Sequence, residues 1–340
     1  MTNNKRIGKQ TFAVSGNVII NNHATVAGQK EFEGPLGQNF DIVMEDNYYG
    51  EKTWEKAESK MQHKSAVTAL EKAQLNTSDI DIIYAGDLLN QCVGTNYGVR
   101  DLNIPFYGLY GACSTMAESL SLGAMAIDGG FANRVMCGAS SHFCSSERQF
   151  RTPLAYGGQR PPTAQNTVTG SAMAVLSTDG EGAYITKVTT GKIIDKGITD
   201  VNNMGAAMAP AAVDTLLAYF SDTNTSPEDF DLILTGDLGF LGYEIVCDLM
   251  DKNGITMKNY DDCGKMIYYK EEQDVHSGGS GCGCSAITLC GYVLPKVQSG
   301  EINKMLFLGT GALMSPTVTQ QGESIPSIAH LVEISSKKEN

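Results

Sequence analysis

Apolar residues along this chain gather in runs of two lengths. Short runs such as Ile82-Ile-Tyr-Ala85, Val135-Met-Cys-Gly-Ala139 and Leu232-Ile-Leu-Thr235 end at glycine or a small residue and read as strands buried on both faces. Longer runs, Ala66 to Leu75, Met116 to Ile127, Ala211 to Phe220 and Ala286 to Val297, read as helices. Strands alternating with helices predict βαβ units and an α/β fold. Two stretches, Ser145 to Thr167 and Thr190 to Ala209, are rich in Gly, Pro and polar residues and read as ordered loops over a site.

The pattern repeats. Thr77-Ser-Asp-Ile-Asp-Ile-Ile-Tyr-Ala-Gly-Asp-Leu88 reads like Ser226-Pro-Glu-Asp-Phe-Asp-Leu-Ile-Leu-Thr-Gly-Asp-Leu238, with Asp81/Asp231, Gly86/Gly236 and Asp87/Asp237 pairing at one offset. Gly130-Phe-Ala-Asn-Arg-Val-Met-Cys-Gly138 likewise resembles Gly300-Glu-Ile-Asn-Lys-Met-Leu-Phe-Leu-Gly309. The helix-like run before each is opened by a small-residue turn carrying cysteine, Gly111-Ala-Cys-Ser-Thr115 and Gly281-Cys-Gly-Cys-Ser285. The chain therefore reads as two duplicated βαβ-rich halves, residues 1–182 and 183–340, and the chemistry of the two turns is related by duplication.

Composition narrows the function. With 25 basic and 38 acidic side chains the net charge is −13 over 340 residues, and no block of like charge interrupts it. Nucleic acid and direct docking on anionic lipid are disfavoured. The most apolar stretch, Met305 to Met314, is half the roughly 20 residues a spanning helix needs, and no secretory signal is found. Nine cysteines are too dilute for a disulfide scaffold. Cys282-Gly-Cys284 has no matching second cluster at zinc spacing, so neither metal nor cofactor is expected.

A duplicated α/β chain with Ala-Cys-Ser at a strand-to-helix turn and a Gly-rich turn in its second half resembles the thiolase and ketoacyl-synthase superfamily. Within it the chain is similar to the stage V sporulation AD proteins of endospore-forming bacteria. The motifs of that likeness in the first half are Gly34-Pro-Leu-Gly37, Gly86-Asp-Leu-Leu-Asn-Gln91, Gly111-Ala-Cys-Ser-Thr115, Glu147-Arg-Gln-Phe-Arg151, Tyr156-Gly-Gly-Gln159 and Val168-Thr-Gly170. In the second they are Gly197-Ile-Thr-Asp200, Met208-Ala-Pro-Ala-Ala212, Gly236-Asp-Leu238 and Ser277-Gly-Gly-Ser-Gly-Cys282. The resemblance implies a thiolase-like fold layered α-β-α-β-α. It also implies a protein that binds dipicolinic acid (pyridine-2,6-dicarboxylate) or its calcium chelate. Such a protein acts with membrane-embedded stage V sporulation proteins in taking the acid into the developing spore and in its release on germination. It implies a peripheral place at the forespore inner membrane, and a homodimer formed through a sheet edge.

The residues are then tested against that chemistry. Cys113 at a helix start would have its thiolate favoured by free N–H groups and the helix dipole, as a nucleophile requires. Acyl transfer also needs a base. The resemblance places Gly279-Ser280-Gly281 where thiolases carry Gly-His-Pro, and Gly236-Asp237-Leu238 where condensing enzymes of type III carry their histidine. The second thiolase cysteine falls near Phe307 and Leu308. The expectation is a non-catalytic binding protein. An acyltransferase or condensing enzyme using Cys113 is the alternative, and a docking scaffold with a vestigial pocket is the other rival.

A planar dianion asks for local positive charge and N–H donors. Arg148, Arg151 and Arg160 supply guanidinium forks, and the turns at Cys113-Ser114 and Cys284-Ser285 supply N–H groups. His142, at the carboxyl end of a strand, is the histidine placed nearest the pocket. Ser280 falls at the same turn, and Asp87 and Asn90, at a strand end, suit fixing the turn or orienting a donor. The expected binding set is Cys113, Ser114, His142, Arg148, Arg151, Ser280, Asp87 and Asn90, with Phe150 and Tyr110 placed to stack on the ring.

Overall fold

The computed structural model describes residues 5–14, 16–151 and 157–338. Tyr156 of the Tyr156-Gly-Gly-Gln159 motif lies outside them. The principal strands of the first half are β1 (Ile19–Ala27), β2 (Ile82–Gly86), β3 (Phe106–Leu109), β4 (Arg134–Ser141) and β5 (Gly170–Ser177). Those of the second are β6 (Ala183–Thr189), β7 (Leu232–Thr235), β8 (Tyr260–Asp262), β9 (Lys304–Ala312) and β10 (Ser327–Ser335). The first five assemble in the order β3-β2-β4-β5-β1 and the second five in the order β8-β7-β9-β10-β6, so each position recurs five strands later. The sense of pairing recurs as well. β2 is parallel to β3 and β4, and β5 is antiparallel to β4 and β1. In the second half β7 is parallel to β8 and β9, and β10 is antiparallel to β9 and β6. Antiparallel pairing of Ile19 with Tyr184 and Ile20 with Ala183 joins the two sheets.

The duplication extends to single hydrogen bonds. Asp81 accepts from the backbone N–H of Asn133 (2.7 Å) and Arg134 (3.0 Å), and Asp231 accepts from Asn303 (2.7 Å) and Lys304 (3.2 Å). Each aspartate clasps the strand that follows the buried helix of its own half. Just before them, Asn76 with Asp79 and Ser226 with Asp229 close identical capping boxes.

Helices α1 (Trp54–Ala73) and α2 (Thr115–Asp128) flank the first sheet on its two sides. Helix α3 (Phe143–Phe150) follows β4, and α4 (Met204–Thr223) and α5 (Gly239–Lys252) cover the outer face of the second sheet. Helix α6 (Cys282–Thr288) lies beside α2 between the sheets, completing the α-β-α-β-α layering. These two inner helices carry the cysteine turns, and their residues Met116, Leu120, Ile287 and Cys284 have no solvent exposure. After α6 the chain widens into a π turn over Leu289–Val293 before Leu294–Gln298. Pro295, which has no N–H to give to the carbonyl four residues back, explains the irregularity.

Both stretches read as loops begin or end as helix. Helix α3, residues 143–150, runs into the first. In the second, α4 starts at Met204 because Asn203 caps it through Ala206 N–H (3.3 Å), which leaves Pro210 inside the helix instead of at its start.

Candidate functional site

The Cys113 turn, α3, the start of α4 and the end of β9 enclose one pocket. Its walls are Leu88, Tyr110, Phe150, Met204, Met208 and Met314, and its polar lining is Cys113, Ser146, Glu147, Arg151, Thr167 and Ser280. The cavity itself is narrow, about 40 Å³, and reaches about 470 Å³ only when the open space out to its mouth is counted.

The turn bearing Cys113 is built under strain. Ala112 sits at φ +49°, a left-handed conformation that an alanine adopts only where its surroundings hold it. Thr115 Oγ1 donates to the Ala112 carbonyl (2.7 Å) and Ser114 Oγ to the Gly111 carbonyl (2.7 Å), which pins the turn from within. Across from it Gly281, at φ +103°, occupies backbone space open to glycine, and its N–H reaches Asp237 Oδ2 at 2.7 Å. Asp237 also accepts from Ser280 Oγ (3.2 Å) and from Thr310 Oγ1 (2.8 Å), and its carboxylate faces the Cys113 thiol. Asp262 holds this turn in place, accepting from Leu238 and Gly239 N–H at 2.9 and 2.8 Å, and burial pushes its carboxyl up to about 7.

Asp237 therefore stands beside the sulfur. Burial, and then the negative charge of this carboxylate, hold the Cys113 thiol well above its ordinary value. That is the reverse of the electropositive setting that makes a thiolate at neutral pH. Thr310, near the end of β9, is the strand residue that comes to the turn; Phe307 and Leu308 are fully buried within the sheet.

Helix α3 separates the two arginines of its sequence. Arg151 turns inward, its side chain 11% exposed, and pairs with Glu147 in the pocket wall; its Nη1 also donates to the Gln165 carbonyl (3.2 Å). Arg160 meets the other oxygen of Glu147 at 2.8 Å, and Thr167 Oγ1 donates to the same carboxylate (2.9 Å). The two guanidiniums hold Glu147 below the usual carboxylate range against the opposing effect of burial. Two cations on one carboxylate leave a local charge of 2 − 1 = +1. Arg148 points the other way: half exposed, it pairs with Glu55 and lies 5.2 Å from the Trp54 ring centre.

Four more expected residues are not in the lining of this pocket. His142 is fully buried and caps α3; its Nδ1 accepts from Cys144 N–H (3.2 Å) and its Nε2–H donates to the Asn47 carbonyl (2.9 Å). Both ring nitrogens are spent, and burial lowers its pKa to about 4, so at neutral pH it brings no positive charge. Asp87 is buried and fixes the turn after β2, accepting from Leu89 N–H, Thr95 N–H and Thr95 Oγ1 at 2.7, 2.7 and 2.6 Å. Asn90, exposed, lines a separate outer depression with Arg148. The Ser114 hydroxyl stays within its own turn. Cys113, Arg151 and Ser280 do meet in one pocket, with Tyr110 and Phe150 in its walls.

Sequence reading did not single out Ser146, Thr167, Thr310 or the methionines. A helical reading of residues 143–151 would have found Ser146, because Ser146/Phe150 and Glu147/Arg151 are i,i+4 pairs on the side facing the cavity.

Two five-stranded sheets about a pair of buried helices, with a cysteine on the strained turn that opens one of them, define a thiolase-like protein. The chain belongs to the stage V sporulation protein AD family, whose profile matches residues 8–335. Stage V sporulation protein AD of Bacillus subtilis (strain 168) is 46% identical over 327 residues, covering 96% of each chain. Among solved structures, 3-oxoacyl-(acyl-carrier-protein) synthase III from Aquifex aeolicus VF5 superposes with a TM-score of 0.56 at 11% identity, over 94% of this chain and 99% of that one. Human mitochondrial 3-ketoacyl-CoA thiolase in complex with CoA does so with a TM-score of 0.57 at 11% identity, over 96% and 99%. At such identities the likeness concerns the fold.

The carboxylate beside the thiol gives a direct test. Asp237→Asn removes the charge that keeps Cys113 protonated, so the pH midpoint for Cys113 alkylation, followed by peptide mass spectrometry, should fall relative to wild type. An unshifted midpoint would show that burial alone sets the thiol.

The His142 cap gives a second. Its folded pKa lies below its unfolded value, so the unfolded chain takes up the proton first, and the contribution of His142 is complete above about pH 6.5 and lost toward about pH 4. Between about pH 7 and about pH 4.5, wild type should lose on the order of 2 kcal/mol more unfolding free energy than His142→Asn, which keeps a capping side chain without a titration. Parallel losses in denaturant melts would contradict the buried neutral ring.

Proposed function

We propose that this chain binds dipicolinate, as the free acid or its calcium chelate, without transforming it. It would serve uptake of the acid into the developing spore, and its release on germination, together with membrane-embedded stage V sporulation proteins. The observation that carries the reading is the inward guanidinium of Arg151 in a pocket walled by aromatic rings and thioethers. A planar aromatic anion needs both, a cation within reach of its carboxylate and flat or polarisable surfaces for its ring. The net positive charge around Glu147 is local, in a chain whose overall charge is −13.

Two further features support binding over acyl transfer. The group facing the Cys113 thiol is a carboxylate that raises its pKa, and the imidazole of His142 is committed to a cap. The strained turn and the helix it opens are what favours the alternative, an acyltransferase or condensing enzyme using Cys113.

Attachment at the forespore inner membrane would be peripheral and through partners. Among the described residues no helix is long and apolar enough to cross a membrane. The edge strand β3, with Tyr107 61% exposed, is the sheet edge through which a homodimer would form.

Calorimetric titration with dipicolinate, with and without calcium, tests the reading. Arg151→Ala should weaken binding by about 2–5 kcal/mol, whereas Arg148→Ala, on the outer face, should leave it within about twofold. Equal effects of the two substitutions would contradict the inward assignment. Incubation with short acyl-CoA thioesters should give no turnover above a Cys113→Ala control; a Cys113-dependent rate would make the chain an enzyme.

A further inference from the structure

Two polar groups in the pocket are left without partners. Ser146 is 2% exposed, and its hydroxyl makes no hydrogen bond among the described residues. Arg151 Nε–H is also buried and, among the described residues, unpartnered, although Nη1 of the same guanidinium is engaged by Glu147 and Gln165. Both residues line the cavity from α3 and its end. Buried polar groups are normally satisfied, and two such failures at one pocket mark a place where something else supplies the partner.

The chemistry of that partner follows from the donors. A guanidinium N–H can only donate, and a serine hydroxyl can do so in the direction it is free to turn, so the complement is a group with two acceptor oxygens. At the other end of the pocket the Ser280 hydroxyl already donates to Asp237, and the same carboxylate faces the Cys113 thiol, a setting that repels an anion. Between the two ends lie Phe150, Tyr110, Met204, Met208 and Met314, which suit a flat ring.

We infer that Ser146 Oγ–H and Arg151 Nε–H form a clamp for one carboxylate of an aromatic acid, and that Ser146 is a specificity-determining residue of this pocket. The inference rests on the ligand reading above and deepens it: the ring is held by apolar walls, and its carboxylate is read at the α3 end, away from Asp237. Glu147 is the positioning residue, since its pairs with Arg151 Nη1 and Arg160 orient the guanidinium and leave Nε–H free.

The full chain, wild type and Ser146→Ala, is titrated by calorimetry with dipicolinate, pyridine-2-carboxylate and glutarate, and the free proteins are melted in parallel. Ser146→Ala should bind both pyridine acids about 3- to 10-fold more weakly. Its melting temperature without ligand should be unchanged or raised, because an unpaired hydroxyl has been removed. Glutarate, with two carboxylates and no ring, should bind far more weakly than dipicolinate to wild type. Arg151→Lys keeps the charge but loses Nε–H, and should cost about 10- to 100-fold. Ser146→Ala binding within twofold of wild type overturns the clamp, as does Arg151→Lys binding like wild type. Wild type that takes pyridine-2-carboxylate but not dipicolinate, with Ser146→Ala still weakened, overturns the dipicolinate reading and leaves the clamp standing. Wild type that binds neither acid overturns both.

Discussion

Three separate stretches of this chain converge on the carboxylate of Asp237. It leaves the end of β7, receives the hydroxyl of Ser280, the N–H of Gly281 and the hydroxyl of Thr310, and faces the thiol of the first half's cysteine turn. A buried carboxylate without donors is costly, so the arrangement specifies each donor's place as firmly as the donors specify the acid. The pocket wall on this side follows from that. Asp237 closes the Gly281 turn ahead of α6 and adds its charge to the burial that keeps the Cys113 sulfur protonated, which sets what the site can do.

The two halves show how a duplicated frame divides its duties. Asp81 and Asp231 do the same work in each, holding the strand that returns from the inner helix. Asp87 and Asp237, equally matched in sequence, do different work. The first turns inward on its own half and caps Leu89 and Thr95. The second crosses to the other half's cysteine. Structural aspartates stay symmetric because both sheets need the same clasp, and strand-end aspartates diverge because one pocket has been built from two turns.

Much of the fold was legible in the sequence, since alternating runs and the repeated Gly-Asp strand ends fix the order and type of the elements. The site was legible in part. Cys113, Arg151 and Ser280 line one pocket and Asp87 fixes the turn it was read to fix, whereas Arg148 faces the surface, His142 is a neutral cap, the Ser114 hydroxyl stays in its own turn and Asn90 lies on the outer surface. The reason is local. The stretch from Ser145 on was read as loop because it is polar, yet a short helix with a buried histidine cap forms over residues 143–150, and its 3.6-residue period is what sorts Arg151 from Arg148. The role of Asp237 was hidden for another reason, because long-range hydrogen bonds such as those from Gly281 and Thr310 leave no pattern in spacing.

The methionines in the pocket carry a consequence for durability. Met204, Met208 and Met314 are nearly buried and soft enough to follow the outline of whatever ring lies against them. A thioether is also the side chain most readily turned from oil to dipole, since its sulfoxide is polar and chiral. A pocket walled this way trades chemical permanence for fit. Long survival in the presence of oxidants would then depend on shielding those sulfurs, and an aromatic occupant seated over them would be its own site's antioxidant cover.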